Sequence, residues 1–411
     1  MWDRYRTDMM YRTNIGDDMS DGVKECEGDG CGICFTPNSH NQKYADPRCR
    51  KEQEYNIVCS YRREQNDFGV PIDPMDELEI TNEVELKLAY TRLVKEYEKV
   101  KTKKDDLSAS VYRAVVDNAE NYVVPPTTPP RSDRRSKGEE VAVAVLADWQ
   151  LAKVTPDYDS ATCESRIDKF AEKVVSLTEI QRADHPVKDI HIWMLGDIVE
   201  GELIFPGQSF LVDGGLYRQV TVDGPRIMTK FFKKMLENFR HVYVTGVIGN
   251  HGAIGGRQRR DHDPETNADR MIYRIMDLVF QDEDRITFDI PDGRGEGHWY
   301  AIDDIGNYSS LLCHGDQFNS LSSFYQFQKK IYGWRVGAIQ KHFDDVYIGH
   351  FHTPTKMTFN TIQCRISGSP ESSNDYAAER LAAVGRPSQP LMFVHPERGI
   401  VTSEYCVWLD D

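Results

Sequence analysis

No long apolar run exists in this sequence. The longest, Val141–Ala147, falls far short of the roughly 20 residues that a membrane-spanning helix needs. The opening Met1-Trp2-Asp3-Arg4-Tyr5-Arg6 has no apolar stretch either, so the expectation is a soluble, intracellular protein without a secretory signal. Positive charge is also scarce. Lys and Arg total 50 against 66 Asp and Glu, for a formal net charge of −16. That balance excludes a histone-like or polybasic nucleic-acid binder. It leaves room for a local basic patch, or for carboxylates kept for metal ions. Hydrophobic residues make up 39% and charged residues 28%, enough apolar material for a sizeable core and too much for wholesale disorder. A length of 411 residues suits two or three domains, or one large domain with appendages.

Cysteine is present but unevenly spread, with nine in all. Cys163, Cys313, Cys364 and Cys406 are scattered and read as small buried hydrophobes. Cys26, Cys31, Cys34, Cys49 and Cys59 crowd the start of the chain. The run Cys26-x4-Cys31-x2-Cys34-x14-Cys49 supplies four thiolates for one structural Zn2+, with His40 and Cys59 in reserve. The spacing is near, but not on, the common zinc-ribbon pattern. Such an ion would fold a head that has little core of its own and that could meet nucleic acid or a protein partner. The alternative is free thiols in a loop-rich segment.

Composition then divides the chain. Residues 1–75 form the Cys-rich head. Within 76–121, Leu86, Tyr90, Leu93, Tyr97, Val100, Lys104, Leu107 and Val111 alternate at spacings of four and three, predicting one long helix over about 77–119. Its stripe either packs on its own domain or pairs two copies as a coiled-coil homodimer. Residues 122–138 hold Pro125, Pro126, Pro129 and Pro130, followed by Arg131, Arg134, Arg135 and Lys137. This reads as a stiff basic linker.

From 139 to 408 strands and helices alternate, giving an α/β domain with a β-rich second half. Strands are expected at Val141–Ala147, Asp189–Leu195, His241–Ile248, and at 285–290, 297–303, 308–313, 345–349, 355–366, 391–395 and 400–408. Helices are expected at Arg166–Ala183, with Ile167, Phe170, Val174, Leu177 and Ile180 on one face, and at Pro225–Arg240 and Glu265–Phe280.

Five of these strands end in metal-competent residues. They run into Asp148-Trp149-Gln150, Gly196-Asp197-Ile198-Val199-Glu200, Gly249-Asn250-His251-Gly252, His314-Gly315-Asp316 and Gly349-His350-Phe351-His352. Ligand sites in α/β sheets form at the carboxyl ends of strands. Each fragment alone is an ordinary turn. Five in order, offering N and O donors without thiolate, form a metal-site pattern. The neighbouring glycines let the backbone turn sharply and approach an ion.

In these motifs the sequence resembles the calcineurin-like metallophosphoesterases, whose signature runs Asp-x-His, Gly-Asp, Gly-Asn-His-(Asp/Glu), His, Gly-His-x-His. The match covers about 139–408. The resemblance implies a four-layer α/β/β/α sandwich carrying two divalent metal ions. It implies Asp148, Asp197 and His352 for the first ion, and Asp197, Asn250, His314 and His350 for the second, with Asp197 bridging. His251 would stand over the phosphate as acid or charge stabiliser. Two cations about 4 Å apart polarise phosphoryl oxygens and share a bridging hydroxide nucleophile, and an imidazolium helps a poor leaving group depart.

The sequence departs from that family in two places. Gln150 stands where the family has His. As a harder and weaker ligand it favours Mn2+ or Mg2+ over Zn2+ (with Fe and Ni also compatible), unless it acts through water. Gly252 replaces the acid that usually orients the His. Asp316 and Asp261 are the candidates for that task.

The Asp-Trp-Gln start, the Gly-Asn-His-Gly turn and a late Gly368-Ser369-Pro370 look most like phage or bacterial members grouped with the DNA double-strand-break repair exonucleases. This implies a DNA nuclease in the cytoplasm of a bacterium or phage-infected host. A phosphatase, a nucleotide or other small-molecule phosphodiesterase, and a binding protein with a vestigial phosphoesterase domain are the alternatives. Gly255-Gly256-Arg257-Gln258-Arg259-Arg260 reads as a loop whose Arg257, Arg259 and Arg260 clamp phosphate, or as a surface loop balanced by Asp261 and Asp263. Tyr325, Phe327, Tyr332 and Trp334 read as core, with stacking on single-stranded bases as the alternative.

Overall fold

The computed structural model of the chain describes residues 124, 126–204, 207–254, 263–293, 297–319, 321, 323–371 and 385–410, together with the backbone of 24–25 and 34–35. The chain separates into two compact units, Met1–Lys95 and Glu96–Asp411. In the first, β1 (Lys24–Glu25) pairs antiparallel with β2 (Cys34–Phe35). The side chains of Cys26, Cys31, Cys34 and Cys49, the 77–119 helix, and Arg257, Arg259, Arg260 and Asp261 lie outside the described residues.

The second unit contains two sheets. Strands β3 (Glu140–Leu146), β4 (Val187–Met194), β5 (Val242–Gly246) and β6 (Ile286–Asp289) run parallel and adjacent. Strand β7 (Tyr300–Ile305) pairs antiparallel with β8 (Tyr308–Cys313), and β8 pairs parallel with β9 (Asp345–Ile348). Strands β10 (Thr355–Phe359) and β11 (Ile362–Ile366) complete that five-stranded sheet in the order β10-β11-β9-β8-β7. Finally β12 (Ser388–His395) and β13 (Ile400–Trp408) return to the first sheet, giving β13-β12-β3-β4-β5-β6.

Side chains alternate across a strand, so the order of layers can be read from the cores. Ala142, Ala144 and Leu146 of β3 join Ile190, Ile192 and Met194 of β4 in one core. This core also takes in residues of α1 (Ser160–Arg182), α2 (Gly224–Asn238) and α3 (Ala268–Val279). The opposite face of the same strands, Val143, Val145 and Trp193, packs with Ala301, Leu312 and Tyr347 of the second sheet. The far face of the second sheet, Leu311, Val346 and Cys364, meets Phe327 and Ile331 of α4 (Phe324–Gly333). Three cores between helices, sheet, sheet and helix make four layers, α/β/β/α, as expected from the sequence.

Several boundaries shift for local reasons. Helix α1 begins six residues before the expected Arg166, because Asp159 caps it by accepting from the Thr162 amide at 2.7 Å. Its buried stripe ends at Thr178 and leaves Ile180 65% exposed. In that last turn the inward position passes to Gln181, whose amide donates to Glu140. The expected strand 355–366 is a hairpin that turns at Asn360, with φ of 56°; asparagine tolerates that conformation. The aromatic run of α4 divides. Phe327 and Trp334 are core, Tyr325 is 70% exposed, and the Tyr332 hydroxyl accepts from Asn360. Among the described residues no helix is long and apolar enough to cross a membrane.

Trp193 joins the two sheets. It stacks edge-on against Tyr347 with centroids 4.5 Å apart, and its Nε1 donates to Asp303 on β7 at 2.6 Å. Trp193→Ala should cost about 3–5 kcal/mol, read as a lower midpoint in urea denaturation.

Candidate metal centre

The parallel strands β3, β4 and β5 deliver their carboxyl ends to one edge, and the parallel pair β8–β9 delivers its ends to the same place. Hydrogen bonds join the loops across the two sheets. The His350 amide donates to Asp148 Oδ1 at 2.8 Å, and His314 Nδ1 donates to the Leu195 carbonyl at 2.7 Å. Within the first sheet, the Asp148 amide donates to the Gly196 carbonyl and that of Gln150 to the Asp197 carbonyl, each at 3.0 Å.

All seven expected metal residues meet here. His314 Nε2 lies 3.0 Å from Asp197 Oδ2, 3.1 Å from Asn250 Oδ1 and 3.2 Å from His350 Nδ1. Ligand atoms of Asp197, His314 and His350 fall within 4.8 Å of one another. Beside this set, His352 Nε2 lies 3.6 Å from Asp148 Oδ1, and Gln150 Nε2 lies 3.3 Å from Asp197 Oδ2. The eighth residue, His251, donates its amide to Asp197 Oδ1 at 2.7 Å.

Backbone conformation sets this edge apart. Asp148, Gln150, Asp197, His350 and His352 all have positive φ, between 46° and 69°. Each costs a non-glycine residue about 1–3 kcal/mol, strain that clusters at functional sites. Two glycines make the crossing feasible. Gly196 has φ of 84°, and a Cβ there would strike the Gly249 backbone; a Cβ on Gly249 would strike the Asp197 carboxylate.

The donor set fits divalent cations. Adjacent ligands on a cation with bonds of about 2.1 Å stand about 3.0 Å apart, the spacing that Asp197, Asn250 and His350 show around His314. With Nδ1 committed to Leu195, a neutral His314 presents the Nε2 lone pair to the cluster. Gln150 is fully buried and its Oε1 has no hydrogen-bond partner. A half-turn of the amide would offer that oxygen where its NH2 now meets Asp197. Without a cation the charge falls on imidazole. Burial opposes protonation of His314, but Asp197 and Asp148 raise it to about 10. Burial and the neighbouring His314 push His350 down to about 3. Burial lifts Asp148 to about 6 despite His352 and His314, whereas Asp197, though buried, is held far below the usual carboxylate range by His314 and His251.

Three acids to which the sequence reading gave no role complete the site. Among the described residues Glu200, rather than Asp316, faces His251; Asp261 lies outside them. The Glu200 carbonyl accepts from His251 Nδ1 at 2.8 Å and its Oε2 lies 3.4 Å from the same nitrogen. Burial works against the imidazolium, yet Asp197 and Glu200 raise His251 to about 9. Asp316 accepts from Gln317 instead. Gln208 donates to both the carbonyl and carboxylate of Glu200, at 2.8 and 2.9 Å. Asp269, in the first turn of α3, accepts from the amides of Asp197 at 2.9 Å, Ile198 at 3.0 Å and Gly249 at 2.8 Å. Glu371 reaches His352 Nδ1 at 3.1 Å and Lys153 at 2.7 Å.

No protein-family model and no curated protein matches the chain. Solved structures similar to it include an archaeal phosphodiesterase at 10% identity, covering 65% of this chain and 99% of that one with a TM-score of 0.29. A predicted phosphoesterase from Streptococcus pneumoniae is 11% identical over 65% of this chain and 98% of that one, with a TM-score of 0.26. Vacuolar protein sorting 29 from Cryptosporidium parvum is 14% identical over 65% and 99%, with a TM-score of 0.29. Likenesses this remote say nothing about activity; the residues of the site do.

Asp269→Ala would strand the buried amides of Asp197, Ile198 and Gly249. At about 1–3 kcal/mol for each orphaned donor, the expected destabilisation is about 3 kcal/mol or more, read by chemical denaturation of the metal-free chain.

Proposed function

We propose that this chain is a metal-dependent phosphodiester hydrolase and that DNA is its substrate. The observation that supports the hydrolase most strongly is the cluster around His314, where Asp197, Asn250 and His350 stand at ligand–ligand spacing with His251 alongside. Asp148, Asp197 and His352, with Gln150, would hold one divalent ion; Asp197, Asn250, His314 and His350 would hold the other. The bound ions supply Lewis-acid polarisation of the phosphoryl oxygens and a water acidic enough to attack near neutral pH.

The chain's own residues do the rest. Asn250 contributes a neutral oxygen, limiting the negative charge that an incoming phosphodiester must meet. His251 Nδ1 is committed to Glu200, which leaves Nε2 for the substrate. Held protonated by Asp197 and Glu200, His251 donates the Nε2 proton to the departing oxygen, so the alkoxide leaves as an alcohol. Gln150 makes the first set the harder one and favours Mn2+.

DNA as substrate rests on the sequence motifs Asp148-Trp149-Gln150, Gly249-Asn250-His251-Gly252 and Gly368-Ser369-Pro370. The acidic balance of the chain, −16 overall, disfavours tight nonspecific binding to DNA. Affinity would come mainly through the metal ions and the Arg257–Arg260 loop.

The test offers labelled single- and double-stranded DNA, a chromogenic diester and a chromogenic monoester to one preparation with Mn2+. Diester and DNA turnover is expected and should vanish with a chelator. Asp197→Ala should abolish it, and His251→Ala should lower kcat by about 10²–10⁴-fold without unfolding the chain. Turnover of the monoester alone would reject the nuclease. Silence with every divalent metal would favour a binding protein.

A further inference from the structure

The two ligand sets are anchored differently. The second is fixed largely by backbone, with His314 on the Leu195 carbonyl and the Asp197 amide on Asp269. The first is enclosed by a circuit of side chains. The Lys153 amide donates to the Gln150 carbonyl at 3.0 Å, and its Nζ pairs with Glu371 Oε1 at 2.7 Å. Glu371 Oε2 lies 3.1 Å from His352 Nδ1, and His352 Nε2 faces Asp148. The circuit closes through Ser369, whose hydroxyl accepts from the Glu371 amide at 2.9 Å and donates to the Asp148 carbonyl at 2.6 Å. Arg166 steadies the same turn by donating to the Pro370 carbonyl at 2.6 Å.

The Glu371 side chain is only 1% exposed. Stability alone does not account for a buried ion pair, since apolar residues of similar volume serve as well or better. This one faces the outer nitrogen of a histidine whose inner nitrogen faces Asp148. His352 also sits at φ of 56°, a conformation that needs an external hold. A carboxylate on the far nitrogen of a ligating imidazole fixes its tautomer and strengthens it as a donor.

We propose that Glu371, paired with Lys153, is a positioning residue that governs loading of the first metal ion and leaves the second ion unaffected. The proposal rests on the metal-centre reading above. It makes the site asymmetric: one ion sits in a cradle set by the backbone, and the other depends on the charge of a glutamate at the end of the Gly368-Ser369-Pro370 turn. Glu371→Gln keeps the size, removes the charge and leaves one acceptor oxygen where the carboxylate uses both, on Lys153 and on His352. Lys153→Met leaves Glu371 in place without its cation.

The experiment strips the full chain with chelator and titrates Mn2+ by calorimetry, with elemental analysis after dialysis. Wild type should take up two ions. Glu371→Gln should bind one ion with unchanged affinity and the other about 10–100-fold more weakly. Lys153→Met should weaken the same ion by a smaller factor, and circular dichroism melting should show both variants folded. Two ions at wild-type affinity in Glu371→Gln would overturn the proposal and leave the metal centre standing. Equal weakening of both ions would also overturn it, because selectivity is its content. A wild-type chain that takes up no ion would remove the metal reading, and the proposal with it.

Discussion

The Asp197 carboxylate is the point on which the site depends. It is nearly fully buried, and an isolated charge there would be very costly. Both of its oxygens are therefore engaged. Oδ1 accepts from the His251 amide, and Oδ2 meets His314 and Gln150. Its backbone is tied down as well, because Asp269 collects the amide of Asp197 together with that of Gly249 from the next strand. Two loops from adjacent strands thus cross at van der Waals distance, and Gly196 and Gly249 are the residues that let them do so. A residue with a Cβ at either place would move the carboxylate or the loop that carries Asn250 and His251.

The rest of the unit can be understood as what holds that crossing closed. Five ligand candidates in left-handed backbone represent several kcal/mol of strain. The strain persists because the strands feeding those loops are locked on both faces. Val143, Val145, Trp193 and Leu195 fill the space between the sheets, while Ala142, Ala144, Ile190 and Ile192 pack under the helices. A sheet buried on both faces cannot slip by one residue without turning its whole pattern inside out. The register of β3 against β4 and of β8 against β9 is therefore also the register of Asp148 against Asp197 and of His314 against His350.

This also explains what could be read from the sequence. A strand buried on both faces must be continuously apolar, so it shows as a run such as Val141–Ala147, and the first polar residue after it marks the end of the strand. That made the seven metal residues and His251 visible together. Glu200, Asp269 and Glu371 carry no such mark. Glu200 is a single acid in a loop, and its neighbour Gln208 holds it only through the fold. Asp269 looks like any acidic residue in the first turn of a helix, and nothing in its own stretch announces that it faces Gly249 and Asp197. Glu371 had the strongest signal, since it directly follows Gly368-Ser369-Pro370, but its partner Lys153 is more than two hundred residues away in sequence. Local pattern exposes what a strand end offers to a ligand. It does not expose what reaches across to hold that strand end in place.

The same distinction bears on charge. A chain with a net charge of −16 concentrates acids where they oppose an anionic substrate, yet the buried acids here are each answered by a cation or by amides. Glu371 has Lys153 and His352, Glu200 has His251, and Asp269 has a fan of backbone donors. Asp148 and Asp197 are answered by the amides of His350 and His251 and by the imidazoles of His352 and His314. Divalent ions arriving there would displace protons from the ligands that bind them, His314 first, and turn a locally acidic cluster into one that attracts phosphate. The surplus of acid therefore does not by itself oppose an anionic ligand at this site, provided that the attraction is confined to the metal-loaded cluster.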